Sequence, residues 1–263
     1  MKLTDETNVA WLAGDHDAPA RVGQSQTGDL VIEWFDLARL TVSPRTGERK
    51  FEPVAELDEA VVRKLERGLA RAIAEYLRGA MVFHAAAVSW AGRGLLILGG
   101  AGAGKSTTAA LLCARGAALL ADDCAVGVVE GGRFMLEPME DRHWLDPPAR
   151  EALRLGGESD GKEPVVATKL AERPAPTRSV VLLDVDEDRD SDVIVTQCRG
   201  LEAARGLLDA MLRLPLGEAQ SKADFERMAA VASLVTVYKV LRPARFTATL
   251  SDKLTSALLD LAK

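Results

Sequence analysis

Residues 99–106 read Gly99-Gly100-Ala101-Gly102-Ala103-Gly104-Lys105-Ser106, a G-x-x-x-x-G-K-S run. Glycines at these positions let the backbone curl until successive N–H groups point inward, which makes a cradle for an anion. Lys105 is then placed to reach the β- and γ-phosphates of a nucleotide, and the Ser106 hydroxyl to ligate Mg²⁺. The flanks fit this reading. Gly94-Leu95-Leu96-Ile97-Leu98 is a short apolar run of the buried-strand kind. Residues 107–114, rich in Ala and Leu, predict a helix whose N-terminus adds partial positive charge. A strand, a glycine loop and a helix in that order constrain the fold to a sheet with helices packed on it.

The rest of the chain supports an α/β class, because strand and helix patterns alternate around the loop. Residues 30–35 and 37–42 predict strands in a polar, turn-rich N-terminal stretch. From 57 to 77, Val61, Leu65, Leu69, Ile73 and Leu77 recur at helical spacing, so one long amphipathic helix is expected with this stripe on the core. Residues 81–88 predict a strand, as do 117–121. Residues 125–129 and 133–136 predict a hairpin around Glu130-Gly131-Gly132. Residues 137–178 are rich in Pro, Gly and charge and predict loops, with a mobile one at 156–162. Strands follow at 179–185 and 193–196, helices at 201–212 and 222–241, a strand at 245–250 and a last helix at 252–262. Ser221 with Asp224 resembles a helix N-cap pairing. The expected division is a small β-plus-helix region at 1–80, packed on a core at 81–263.

Composition narrows the function classes. With 263 residues the chain can bury a large core, and its net charge of −6 argues against a general nucleic-acid or anionic-membrane surface. It has no aromatic-plus-basic pattern for single-stranded nucleic acid. No stretch approaches the length of an apolar membrane span. No basic segment leads into an apolar run at the N-terminus, so no signal peptide is expected. Cys113, Cys124 and Cys198 are odd in number and lack metal-ligand spacing, which reads as reduced thiols in a cytoplasmic protein.

A phosphate-binding loop holds nucleotide without choosing a reaction. Asp122-Asp123 ends the apolar run at 117–121, 17 positions after Lys105. Such a strand end opens on the same crevice as the loop. One aspartate there can serve Mg²⁺ and the other can accept the proton of an attacking hydroxyl. Asp184, at the end of Ser179-Val180-Val181-Leu182-Leu183, is an alternative metal carboxylate, set in an acidic stretch that also reads as solvated loop. Lys162 and Lys169 are further candidates for covering phosphates. His143 and Trp144 fit either a substrate groove or ordinary loop packing. His84 lies on a small-residue strand 15 positions before Gly99.

The order His84-Ala85-Ala86-Ala87-Val88, Gly92-Arg93-Gly94 with the apolar run, the loop, Arg115-Gly116, and Leu120-Ala121-Asp122-Asp123 resembles the catalytic domain of HPr serine kinases over about 40 residues. The resemblance implies the phosphate-loop core shared with phosphoenolpyruvate carboxykinases. It implies ATP and Mg²⁺ as cofactors, with nucleotide held by Gly99, Gly100, Ala101, Gly102, Ala103, Gly104, Lys105, Ser106 and Thr107. His84 would lie near the phosphates and the aspartate pair would serve metal and base. The E-x-R-G-type signature of the bifunctional kinase/phosphorylases is missing, and about 80 unlike residues precede the resemblance. A shortened kinase of the kind found beside peptide-modification clusters is therefore expected. Its acceptor would be a serine on a peptide or small protein. In this reading Asp122 is the base, Ser106 and Asp123 hold the metal, and Lys105 and His84 act on the phosphates. The pattern leaves a homo-oligomer open. A nucleotide-binding accessory protein that transfers nothing, or a small-molecule kinase, would carry the same loop.

Overall fold

A computed structural model describes residues 9–13, 20–34, 37–53, 56–156, 160–188, 192–244 and 247–263. The fold is mixed α/β, and the chain divides into two compact units, residues 1–82 with 212–226, and residues 83–211 with 227–263.

In the first unit β1 (Val9–Ala13), β2 (Arg21–Ser25), β3 (Leu30–Trp34), β4 (Ala38–Val42) and β5 (Arg49–Pro53) form an antiparallel meander in chain order. Its period-2 pattern turns Leu30, Ile32, Leu40 and Val42 onto one face, where they pack against Ala70, Ile73 and Ala74. The long helix expected over 57–77 is interrupted. α1 (Glu59–Lys64) and α2 (Arg71–Leu77) are joined by a π-helical stretch, Leu65–Ala70. A wider turn rotates the stripe, so the fully buried positions become Gly68, Ala70, Ala72, Ile73, Ala74 and Tyr76. Leu69 and Leu77 keep part of the predicted contact. Tyr76 Oη donates to Asp224 Oδ2 at 2.6 Å, which anchors the returning segment 212–226. Burial, then that bond, pushes the Tyr76 phenol up to about 12.

The second sheet supplies the site. Its strands are β6 (Met81–His84), β7 (Ala86–Trp90), β8 (Arg93–Leu98), β9 (Ala118–Ala121), β10 (Cys124–Glu130), β11 (Arg133–Leu136), β14 (Ala175–Asp186), β15 (Ile194–Gln197) and β16 (Thr236–Pro243). The order among described residues is β6-β10-β11-β14-β8-β7-β9, with β16 also beside β14 and β15 beside β16. β8 runs parallel to β14, and β14 parallel to β16. β7 is antiparallel to both β8 and β9. β8 and β9 therefore point the same way and end at one edge of the sheet. The apolar run of β8 is fully buried at Leu95, Leu96, Ile97 and Leu98. α3 (Lys105–Ala114) packs Ala109, Leu112 and Cys113 into this core, and α7 (Ala248–Leu261) adds Leu254 and Leu258.

Elsewhere the structure corrects the sequence reading. Residues 81–88 are two strands, because Ala85 N–H donates to Asp123 O at 3.1 Å and leaves the ladder there. The stretch 137–178 is not all loop: it holds β12 (Arg142–Leu145), α4 (Pro147–Ala152) and β13 (Glu163–Val166), with β12 and β13 paired as a ribbon. Of the expected mobile loop at 156–162, residues 157–159 lie outside the described residues. α5 (Gly200–Ala210) follows the expected course. α6 (Glu218–Leu234) starts earlier and ends sooner than expected, and its place after 235 is taken by β16. β-branched Thr236, Val237 and Val240 suit a strand, and parallel pairing with β14 from Ser179↔Thr236 to Asp186↔Pro243 agrees with that preference. Ser221 is inside α6, where its hydroxyl donates to Gly217 O at 3.1 Å, so it is not a cap. Of the strand expected at 245–250, residues 245 and 246 lie outside the described residues. The remainder opens α7, capped by Thr247 Oγ1, which accepts from Leu250 N–H at 3.1 Å. No helix among the described residues is long and apolar enough to cross a membrane.

Candidate functional site

The edge where β8 and β9 end carries a cavity of about 170 Å³. One wall is the glycine loop. Gly102 (φ +77°) and Gly104 (φ +89°) are left-handed, a conformation glycine adopts without strain. A Cβ on Gly99 would stand 2.4 Å from Leu183 O, so the loop leaves the sheet where only glycine fits. Ala101, Gly102, Gly104, Lys105, Ser106 and Thr107 line the cavity. Gly99 and Gly100 contribute instead through their carbonyls, which accept from Lys105 Nζ at 2.9 and 3.2 Å. Lys105 is 8 % exposed. Desolvation lowers its pKa, with Lys162 acting in the same direction, while Asp123 and then Asp122 oppose the shift.

Ala103 is turned away from the cavity. Its carbonyl accepts from Arg242 Nε at 3.1 Å and from Arg242 Nη2 at 2.8 Å. Arg242, one residue from the end of β16, is buried, and desolvation lowers its pKa. The sequence reading missed this residue because it assigned residues 222–241 to a helix. A cation next to the apolar pair Val240-Leu241 was the signal available.

The opposite wall holds the aspartates, and burial separates them. The Asp122 side chain is fully buried: Oδ2 accepts from Trp144 N–H at 2.7 Å, while Oδ1 has no hydrogen-bond partner and stands 3.8 Å from His143 Nδ1. The backbone N–H of Asp122 donates to Glu140 Oε2 at 2.8 Å. Burial, then the charge of Asp122, pushes the Glu140 carboxyl up to about 7. Asp123 is one-third exposed, and its Oδ1 lies 3.3 Å from Nδ1 of the largely exposed His84. His84, Asp122, Asp123, Trp144, Asp146 and Lys162 complete the lining. β12 sets the Trp144 N–H against Asp122, and Asp146 caps α4 by accepting from Ala149 N–H at 3.1 Å. Buried Arg150 donates to Leu145 O and Gly161 O at 3.0 and 2.9 Å, fixing the chain next to Lys162.

The structure thus brings together His84, the loop, Asp122, Asp123 and Lys162. Lys169 and Asp184 lie outside the cavity: Lys169 Nζ donates to Gly116 O at 3.3 Å, and Asp184 pairs with Lys239 at 3.5 Å. Of the two residues read as groove or loop packing, Trp144 lines the cavity while His143 packs behind Asp122; Glu140, packed there too, carries no local sequence signal. Glu140 arrives there because the Met139 and Glu140 N–H groups both donate to Leu120 O. The Cys113 thiol is pushed up to about 12 by burial, then by Asp122, which suits it to the core rather than to nucleophilic chemistry. Among the described residues no three His, Cys, Asp or Glu side chains gather as a metal cage.

No protein-family model matches this chain, and no curated protein matches it. Among solved structures it is similar to the Hpr(Ser) kinase/phosphatase from Coxiella burnetii, at 14 % identity over 68 % of this chain and 94 % of that one, with a TM-score of 0.39.

Proposed function

We propose that this protein binds ATP with Mg²⁺ and transfers the γ-phosphoryl group to a hydroxyl, with a serine of a peptide or small protein as the acceptor. The observation that carries the proposal is one cavity with a phosphate cradle on one wall and an Asp–His pair on the other. The loop N–H groups and the buried Lys105 ammonium stabilise charge on the transferring phosphoryl group. Lys105 rests on the Gly99 and Gly100 carbonyls and exchanges them for phosphate oxygens when nucleotide enters.

Burial argues for exchanging the aspartate roles read from the sequence. A general base must reach the proton it takes. Asp123 faces the cavity partly exposed, whereas Asp122 is locked and fully buried. Asp123 therefore accepts the proton of the acceptor hydroxyl, and His84 holds the Asp123 carboxylate in position. Ser106 and Asp122 are the metal-side pair. Their hard oxygen donors suit Mg²⁺, which takes one or two protein ligands and fills its remaining positions with water and phosphate. An orphaned carboxylate oxygen on Asp122 fits a site built for a cation. When bound, Mg²⁺ would offset charge on the β- and γ-phosphates.

The test is to incubate the protein with ATP, Mg²⁺ and serine-containing peptides and to look for added phosphate by mass spectrometry. Lys105→Ala should reduce transfer by about 100-fold or more with the fold intact. Nucleotide-dependent thermal stabilisation without any phosphorylated product, across peptides and small hydroxyl compounds, would leave a binding protein that transfers nothing.

A further inference from the structure

A second cavity, of about 620 Å³, lies beside the first and shares Gly102, Gly104, Thr107 and Asp146 with it. The two differ in size and chemistry. The first is smaller than the roughly 300 Å³ at which pockets for drug-sized ligands begin, and it is lined by two lysines and three aspartates. It suits phosphates and has no room for a whole nucleotide. The second is walled on one side by Pro148, Ala149 and Ala152 of α4, and on the other by Arg242 and Ala244. Glu151 of α4 also lines it, so each side sets small apolar side chains beside a charged one, a mixed lining that suits a nucleoside better than a bare polyphosphate. The nitrogens of Arg242 are already engaged by backbone: Nε and Nη2 donate to Ala103 O, and Nη1 donates to Pro243 O at 2.7 Å and Ala244 O at 3.3 Å. What Arg242 offers a ligand is the face of its guanidinium and its stem, which stack on a flat ring.

We propose that this second cavity is the nucleoside subsite. It rests on the reading above, since it presumes phosphates in the first cavity. The donor lies across Gly102 and Gly104, with its phosphates against Lys105 and its base between α4 and the Arg242–Ala244 stretch. Asp146, common to both cavities, stands where the ribose crosses and offers its carboxylate to a hydroxyl. Arg242 thereby serves two ends of one ligand: it fixes the loop under the phosphates and floors the base.

Ala152 and Ala244 are both exposed on this cavity, so a large side chain at either position fills it without entering the core. The test compares binding of Mg²⁺-ATP and of Mg²⁺-tripolyphosphate, which has no nucleoside, by calorimetry on the whole protein. Ala152→Trp, and Ala244→Trp from the other wall, should each weaken ATP at least tenfold and leave tripolyphosphate within about twofold of wild type, at unchanged Tm. Lys105→Ala should weaken both ligands. Wild-type affinity for ATP in both tryptophan variants overturns the subsite, as does an equal loss of ATP and tripolyphosphate. Wild-type protein that binds neither ligand overturns the phosphate reading, and the subsite with it.

Discussion

The inner side of the aspartate pair and its open side are adjacent in the chain and differ in everything around them. On the inner side Asp122 is closed in by the Trp144 N–H, by Glu140 beneath its own backbone and by His143 at 3.8 Å. On the open side Asp123 meets His84 at 3.3 Å, with both side chains partly in solvent. Two identical side chains on consecutive residues, in the bend between β9 and β10, line one cavity at different depths. In the proposed reading the inner one would serve the metal side and the outer one would meet the substrate, so neighbourhood rather than residue type would assign the roles.

The sharpest way to break this comparison is to neutralise each side separately. Asp123→Asn should reduce phosphoryl transfer by about 10²–10⁴-fold while nucleotide affinity and Tm stay near wild type. If Asp122→Asn abolishes transfer and Asp123→Asn leaves it unchanged, the assignment is reversed.

The next effect is one of pH, measured without divalent cation. Glu140 carries a carboxyl raised from 4.5 to about 7 by burial and then by the charge of Asp122. Below about pH 4.5 both folded and unfolded chains hold this proton, and Glu140 costs nothing. As pH rises toward 7 the unfolded chain releases it first, so stability falls across that window, by an amount on the order of 3 kcal/mol. Glu140→Gln should remove the slope: urea midpoints of variant and wild type should diverge in the variant's favour between pH 4.5 and 8. A constant gap would mean that Glu140 does not titrate in this range.

A smaller effect is expected from deleting the inner carboxylate. Asp122→Ala leaves the buried Trp144 N–H without its acceptor and should cost about 1–3 kcal/mol in chemical denaturation. The smallest expected change in stability is at the open side. His84→Ala removes a largely exposed ring and should leave Tm within a degree or so, while lowering transfer by about tenfold. A large loss of stability in this variant would make His84 a structural residue.

How much of this was legible in the sequence follows the distance over which each feature is determined. The strand β8, the glycine loop and α3 are set by neighbours within a few residues, and their pattern reads directly. The aspartates were legible as the polar end of an apolar strand. Their division was not, because it depends on Trp144 and Glu140, which reach them through β12 and a backbone fold-back onto Leu120. Arg242 was hidden for a different reason: the helix reading ran on through residues 236–241, although Thr236, Val237, Tyr238 and Val240 are strand formers that pair with β14. The π-helical stretch in the first unit was invisible as well, since apolar spacing at 61, 65, 69, 73 and 77 fits an unbroken helix equally well.

Arg242 donates to the carbonyl of Ala103, 139 positions earlier in the chain. The loop is local in sequence but the clamp beneath it is not. A chain emerging from the ribosome can form β8, the loop and α3 long before β16 exists to dock against β14. Until that last strand pairs, Ala103 lacks its guanidinium partner and the cradle has no fixed floor. On the proposed nucleotide reading, competence to hold an anion would arrive late, together with closure of the sheet, and nucleotide added during refolding would report on the final step rather than on the formation of the loop.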